Sequence, residues 1–224
     1  MIDFHTHILP NMDDGSNSVE ISNQMLDILL NDGVKLVCLT SHFYPGNESI
    51  DDYLNRREES YKALNYQGEL DIRLGCEIHY YRGISVSEEI NKLCLSNSNL
   101  LLVELPFSYR INENILNEIV NLNLKYRVVL AHIERYDLDE DQLIFLKNNG
   151  VLLQSNTEFV VDKKTSKTAL YWLEQGYIDL IGSDCHNLEN RRPNYKEAIK
   201  IIENKLGNAF LVHFIEKSYR IICK

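Results

Sequence analysis

The sequence predicts an α/β fold in which parallel strands curl into a barrel. Three observations carry that expectation. Seven short apolar runs recur along the 224 residues, most are followed by a stretch of helical periodicity, and nearly every run ends in a histidine or a carboxylate. Strands alternating with helices imply a parallel sheet, and closing that sheet removes its exposed edges.

The first strand is expected over Ile2–His5. Apolar residues spaced near i, i+3, i+4 and i+7 mark a helix over Val19–Asp32, stopped by Asn31-Asp32-Gly33. Strands follow at Leu36–Thr40, Asp71–Glu77, Leu100–Glu104, Arg127–His132, Val151–Ser155 and Ile178–Ser183. The intervening helices are Asp51–Tyr66, Ile111–Leu124, Glu140–Asn149 and Lys163–Gln175, with Gly150 and Gly176 where C-caps belong. Tyr195–Lys205 and Asn208–Ile222 are two further helices. No Gly/Ser/Pro-rich linker interrupts the pattern, so residues 1–224 are expected to form one domain.

Composition narrows the function. Hydrophobic residues make up 44% and charged residues 25%, with a formal net charge of -10. That charge argues against nucleic acid or an anionic membrane as the main partner. An anionic substrate stays compatible, because bound cations invert the local field. No segment reaches the roughly 18–20 apolar residues of a membrane-spanning helix, so no membrane insertion is expected. Cys38, Cys76, Cys94, Cys185 and Cys223 are scattered and odd in number, which suits reduced thiols in the cytoplasm. The candidate ligands begin at position 5, so no removable signal peptide is expected.

Those ligands are the strongest signal. His5 and His7 lie two apart in a strand, so both rings point to one side. His42, Glu77, Glu104 and His132 end the second to fifth strands, and Asp184 and His186 end the seventh. Asp14, in the turn Asp13-Asp14-Gly15, completes a set of nine. Each has a plain structural reading. A lone histidine after a strand is usually a hydrogen-bonded structural residue, a lone glutamate is usually a cap or a solvated charge, and Asp-Asp-Gly is by itself a turn. Recurrence at successive strand ends favours a metal centre, because in barrels the C-terminal strand ends converge on one site. Nine oxygen and nitrogen ligands suit two or three divalent ions, and mixed histidine and carboxylate ligation points to Zn, Mn or Fe rather than Ca or Mg. Cys76 and Cys185 each neighbour a ligand and should face the other side of their strands. His79, two residues past Glu77, and His213, in the last helix, are read as structural.

These residues carry a resemblance. The segments Ile2-Asp3-Phe4-His5-Thr6-His7-Ile8-Leu9-Pro10, Asp13-Asp14-Gly15, Thr40-Ser41-His42, Gly75-Cys76-Glu77, His132-Ile133-Glu134-Arg135-Tyr136 and Ser183-Asp184-Cys185-His186-Asn187 resemble the polymerase and histidinol phosphatase (PHP) superfamily. More narrowly they are similar to its CpsB/CapC-type bacterial tyrosine phosphatases. The resemblance implies a distorted seven-stranded (β/α)7 barrel with three metals at the C-terminal strand ends, Mn foremost, with Fe or Zn as alternatives. One ion would take His5, His7, Glu77 and Asp184, a second Glu77, Glu104 and His132, and the third Asp14, His42 and His186. Arg135 and one arginine before Pro193 would hold the substrate phosphate. This chain has both Arg191 and Arg192 there; Arg191 is taken with Arg135 and Asp184 as the catalytic set, and Arg192 stays as the alternative. The implied partner is the phosphotyrosine tail of a cytoplasmic bacterial kinase that regulates capsule or exopolysaccharide synthesis.

The expected chemistry is in-line attack on phosphorus by a metal-bridging hydroxide, with bidentate guanidinium contacts to the phosphoryl oxygens. Histidinol phosphate is the nearest alternative substrate, and a non-catalytic phosphotyrosine-binding regulator is an alternative of another class. Metal-dependent nuclease activity fits the acidic composition poorly. A cysteine phosphatase is disfavoured: the C-x5-R strings Cys76–Arg82 and Cys185–Arg191 lack the small-residue loop that surrounds a phosphate, and both carry a carboxylate opposing thiolate formation. Tyr80, Tyr81 and Tyr109 are read as aromatic packing rather than as a phosphotyrosine pocket.

Overall fold

A computed structural model describes residues 1–106 and 111–223. In chain order the elements are β1 (Ile2–Thr6), α1 (Val19–Asn31), β2 (Leu36–Leu39), β3 (His42–Phe43), α2 (Ile50–Leu64), β4 (Asp71–Leu74) and β5 (Glu77–His79). They continue with β6 (Leu100–Glu104), α3 (Glu113–Asn123), β7 (Arg127–Leu130), α4 (Glu140–Asn148), β8 (Leu152–Asn156), α5 (Thr157–Val161), α6 (Ser166–Glu174), β9 (Leu180–Gly182), α7 (Tyr195–Leu206) and α8 (Asn208–Ile222). Side chains cap the helix starts where sequence chemistry would place them. Ser18 and Ser49 each accept a backbone amide three residues on, and Asp139 with Gln142 forms a capping box at α4.

Every strand pairing among the described residues is parallel. The order is β1-β2-β4 in one ladder and β3-β5-β6-β7-β8-β9 in the other. Together they form a curled parallel sheet of half-barrel shape. β1 lies beside β9, linked by the Asp184 amide to the His5 carbonyl at 2.8 Å and the His7 amide to the Cys185 carbonyl at 2.9 Å.

Two of the expected strands are broken. The run Leu36–Thr40 ends at Leu39 and resumes as β3, and the run Asp71–Glu77 ends at Leu74 and resumes as β5. Both chains bend at the same level. The Gly75 amide bonds the Leu39 carbonyl at 2.9 Å, and the Glu77 amide bonds the Thr40 carbonyl at 3.0 Å. A Cβ on Gly75 would stand 3.1 Å from Thr40 Cγ2, so the missing side chain lets the bend close. Past it, His42 and Glu77 are paired in register. A bulge in β1 acts similarly: Asp3 pairs with Val37 but Thr6 with Leu39, which leaves an extra residue around His5. Bulges of this kind re-aim the side chains beyond them.

Strand alternation sorts the core. Val37, Leu39, Leu101, Val103, Val128, Leu130, Leu153 and Ile181 pack in the large cluster with Met25, Leu26 and Leu29 of α1 and Leu143 and Leu146 of α4. The opposite parity, including Ile2, Phe4, Leu36, Cys38, Leu100, Leu102, Val129 and Leu180, forms a second cluster that Ile221 and Ile222 of α8 join. α5 precedes α6 where one helix was expected, and 3-10 turns at Ile84–Val86, Ile90–Leu93 and Ile133–Arg135 were not anticipated. Tyr80 and Tyr81 pack against the large cluster, and Tyr109 lies outside the described residues. No helix of the described residues is long and apolar enough to cross a membrane.

Close approach of β1 and β9 rests on Gly182, where a Cβ would fall 2.5 Å from His5 Cβ and 2.9 Å from the His5 amide nitrogen. Backbone cannot yield as a flexible side chain does, so Gly182→Ala should destabilise by about 1–3 kcal/mol. That corresponds to a melting temperature lower by roughly 3–10 °C in a chain of this size. An unchanged melting curve would contradict this packing of the two strands.

Candidate metal centre

The chain reaches its polar centre from six of its strands. β1 delivers His5 and His7, which are fully buried. The loop after β1 folds back on itself, with the Ser16 amide on the His7 carbonyl at 3.0 Å. A Cβ on Gly15 would lie 2.2 Å from that carbonyl, so Asp13-Asp14-Gly15 needs its glycine to bring Asp14 near. β3 begins with His42 and β5 with Glu77, both just past the bends, while β6 ends in Glu104. His132 follows β7 and Asp184 follows β9. Both have left-handed backbones, φ 31° and 52°, a conformation uncommon outside glycine and concentrated at functional sites.

All nine expected ligands meet here. His5 Nε2 and His7 Nε2 are 3.0 Å apart, and each is 3.1 Å from Glu77 Oε2. His42 Nδ1 is 3.0 Å from the same oxygen, and His132 Nε2 lies 2.7 Å from Glu77 Oε1 and 3.4 Å from Glu104 Oε1. Asp184 Oδ1 is 3.4 Å from His7 Nε2, and Asp14 Oδ1 is 3.5 Å from His186 Nε2. Four overlapping groups have donor atoms within 4.8 Å of one another: His7, Asp14, His42 and His186; His5, His7 and Asp184; His5, Glu77 and His132; and His42, Glu77 and Glu104.

Divalent ions fit this donor set. Glu77 Oε2, His42 Nδ1 and His186 Nε2 are buried without a hydrogen-bond partner, and all three atoms face the cluster. Unpaired buried polar atoms cost about 1–3 kcal/mol each, which a coordinated cation removes. Protons tell the same story. Burial opposes ionisation of Glu104, yet hydrogen bonds from His132 and His79 take its carboxyl down to about 2. Burial also disfavours the His132 imidazolium, but bonds to Glu104 and Glu77 push it up to about 9. His186 goes the other way, to about 3, through burial and the neighbouring His7 charge. Glu104 is thus held ionised, while the same crowding pushes His132 towards its charged form and His186 away from it.

Residues behind the ligands fix their orientation, and sequence reading missed most of them. Asp13 was read only as part of a turn. Its Oδ2 contacts His7 Nδ1 at 2.8 Å and accepts the His42 amide at 2.8 Å. Gln154 Oε1 contacts His5 Nδ1 at 3.1 Å and accepts the His132 amide at 2.8 Å. Asn156 Nδ2 donates to Asp184 Oδ2 at 2.8 Å, and the Tyr136 hydroxyl meets His132 Nδ1 at 3.2 Å. Such partners set ring orientation and tautomer for a metal ligand. One signal was available: β8 was the expected strand without a ligand at its end, yet it carries Gln154 and Asn156 at alternating positions.

The arginines separate clearly. Arg135 Nη2 and Arg191 Nη2 lie 2.6 and 2.8 Å from Asp184 Oδ2, and Arg191 Nη1 is 3.8 Å from Asp14. Arg192 instead bonds Glu197 at 2.7 Å and the Pro193 carbonyl at 3.2 Å. All three arginines line a cleft of about 300 Å3 beside Asp184, but only Arg135 and Arg191 reach that carboxylate. His79 stays outside the four donor groups, with Nδ1 3.1 Å from Glu104 Oε2. Cys76 and Cys185 are buried, and burial pushes both thiols up, away from a reactive thiolate.

Comparison with known proteins matches this chain to one family. The family model described as capsular polysaccharide synthesis, CpsB/CapC, matches residues 1–222. The tyrosine-protein phosphatase CpsB of Streptococcus pneumoniae is 32% identical over 229 residues, covering 92% of this chain and 91% of that protein. The tyrosine-protein phosphatase YwqE of Bacillus subtilis is 29% identical over 228 residues, covering 93% of this chain and 86% of that protein. Among solved structures, one of the crystal structures of YwqE from B. subtilis and CpsB from S. pneumoniae, described as unique metal-dependent tyrosine phosphatases, superposes with a TM-score of 0.81. That match covers 100% of this chain and 95% of the other at 24% identity, and shows the shared fold. With nearly its whole length matched, the chain belongs to the CpsB/CapC family.

Proposed function

We propose that this protein is a metal-dependent protein-tyrosine phosphatase. It acts in the cytoplasm on the phosphotyrosine tail of a kinase that governs capsule or exopolysaccharide synthesis. Residues 1–224 work as one domain, a distorted (β/α)7 barrel with its site at the C-terminal strand ends. The observation that carries the reading is the convergence of His5, His7 and Glu77 at about 3 Å, with two arginines on the adjoining Asp184. Relatives named tyrosine-protein phosphatases support it.

The ligand sets follow the strand ends: His5, His7, Glu77 and Asp184; Glu77, Glu104 and His132; and Asp14, His42 and His186. Two to three ions fit, Mn foremost, with Fe or Zn as alternatives. When bound, they neutralise phosphoryl charge and make water a nucleophile at neutral pH. The protein's own residues do the rest. Arg135 and Arg191 turn from Asp184 to hold phosphoryl oxygens, where a planar guanidinium offers paired donors. Asp184 keeps both guanidiniums at the rim until substrate arrives. Gln154 and Asp13 hold the His5 and His7 rings in place. Tyrosinate, with a parent pKa near 10, leaves without a dedicated acid.

Hydrolysis of a phosphotyrosine peptide and of histidinol phosphate should be compared in chelator-stripped protein before and after adding Mn. Release restored by Mn on the peptide alone is the expected result; preference for histidinol phosphate would overturn the substrate assignment. His5→Ala should lower kcat by at least about a thousandfold and reduce bound Mn, read by elemental analysis. Wild-type turnover in that variant would end the metal reading. Arg135→Ala should retain bound Mn but raise KM and weaken inhibition by inorganic phosphate about ten- to a hundredfold, the scale of a lost charge-assisted contact. Mn affinity should also fall with pH. Hydrogen bonds to Glu104 and Glu77 push His132 up to about 9, so below that its proton must leave before the ring can bind a cation, and affinity should drop by up to about tenfold per unit as pH falls from 9 towards 6. Mn titrations at three pH values in buffers of different ionisation enthalpy read both the slope and the proton release; a flat profile would show that His132 gives up no proton.

A further inference from the structure

We infer that the cleft beside His42 is an aryl subsite, in which Tyr44 receives the phenyl ring of a phosphotyrosine side chain. This deepens the phosphatase reading and rests on it for the position of the phosphate.

Two clefts flank the metal centre, and they differ in chemistry. The one beside Asp184 presents Arg135, Arg191 and Arg192 among four carboxylates, and is where the phosphatase reading puts the phosphate. The other, about 460 Å3, is lined by Met12, Asp14, His42, Tyr44, Glu48 and Arg56. Its single guanidinium is already committed: Arg56 bonds Glu48 through Nη2 at 2.6 Å and Nε at 3.0 Å, and donates to the Met12 carbonyl at 3.0 Å. A phosphate there would face the carboxylates of Asp13, Asp14 and Glu48 against that one guanidinium. A neutral ring finds the exposed aromatic face of Tyr44, a surface that aromatic groups favour.

Tyr44 is placed for this before any ligand arrives. It is 40% exposed, unusual for so large a side chain at the edge of a buried polar centre. Its ring centroid is 5.1 Å from that of His42 and 5.6 Å from that of His79, so two imidazoles back it on the protein side. The backbone is fixed too. Tyr44-Pro45-Gly46-Asn47 closes with the Asn47 amide on the Tyr44 carbonyl at 3.1 Å, with proline second and glycine at φ 99° third. That is the signature of a type II turn. A pre-positioned ring loses little conformational freedom on binding.

Asp14 links the two sides of the centre. Asp14 lines the aryl cleft and also lies 3.8 Å from Arg191 Nη1. In phosphotyrosine only one oxygen separates phosphorus from the ring, so a phosphate held by Arg191 leaves its ring within reach of Asp14 and of the cleft that Tyr44 lines. An ester of a short alkyl alcohol would leave that space empty.

The test uses the Mn-loaded protein and two non-hydrolysable probes, phenylphosphonate and methylphosphonate, with binding measured by calorimetry. Wild type should bind phenylphosphonate more tightly than methylphosphonate. Tyr44→Ala should weaken phenylphosphonate about three- to tenfold, leave methylphosphonate and the melting temperature unchanged, and raise KM for a phosphotyrosine peptide more than it lowers kcat. Tyr44→Phe should behave as wild type. Equal affinity of wild type for the two probes, or equal weakening of both in Tyr44→Ala, would overturn the aryl subsite. Failure of wild type to hydrolyse the phosphotyrosine peptide would instead overturn the phosphatase reading, and the phosphonate comparison would still decide whether the cleft prefers a ring.

Discussion

Everything at the centre of this protein is arranged around the Glu77 carboxylate. It is fully buried, and its two oxygens lie within 2.7–3.1 Å of nitrogens from His5, His7, His42 and His132. An isolated carboxylate in such a place would neutralise itself by taking up a proton. Here burial raises its pKa, but the His5 charge and the surrounding histidine hydrogen bonds bring it well below the usual carboxylate range. One negative charge therefore ties together the ends of β1, β3, β5 and β7. The bend that places it, and the register of β3 on β5, are fold features whose purpose is visible only at the site.

Such a centre is costly to fold, and the rest of the sheet offsets it. Strand residues of one parity pack under the helices, and those of the other form the second apolar cluster with the end of α8. The nine candidate ligands are gathered at the strand ends and the loops that follow them. A supporting shell of Asp13, Gln154, Asn156 and Tyr136 meets the outward-facing atoms of His7, His5, Asp184 and His132, while Glu77 Oε2, His42 Nδ1 and His186 Nε2 are left without a hydrogen bond inside the cluster. This is a division of labour: hydrophobic burial stabilises the fold, and hydrogen bonds aim the donors.

How much of this was legible in the sequence follows from the same physics. Histidines and carboxylates at the ends of apolar runs were readable because strand geometry and parallel topology force strand ends together. The different surroundings of Arg191 and Arg192 were not, since they depend on a local turn. Asn187 Oδ1 accepts the amides of Glu189 and Arg191, and the His186 amide bonds the Arg191 carbonyl. The breaks at Thr40-Ser41 and Gly75-Cys76 were hidden inside runs of continuous strand character, because a bend between two ladders leaves no apolar gap. Gln154 escaped notice for a different reason: an uncharged amide inside a strand looks like ordinary strand sequence until its two histidine neighbours arrive from β1 and β7.

The seam between β1 and β9 also shapes how the molecule comes into being. Asp3 accepts the Ser183 amide at 2.8 Å across 180 residues of chain. His5 and Asp184 meet across the same span, so the donor set cannot assemble from any local piece. Closing so long a loop is entropically unfavourable, and chains dominated by distant contacts fold slowly. During synthesis β1 emerges first but must wait for β9 before its second neighbour exists. Metal-binding competence is therefore a late event in the life of each chain, and a partly made or truncated copy carries His5 and His7 without the geometry that gives them a shared target.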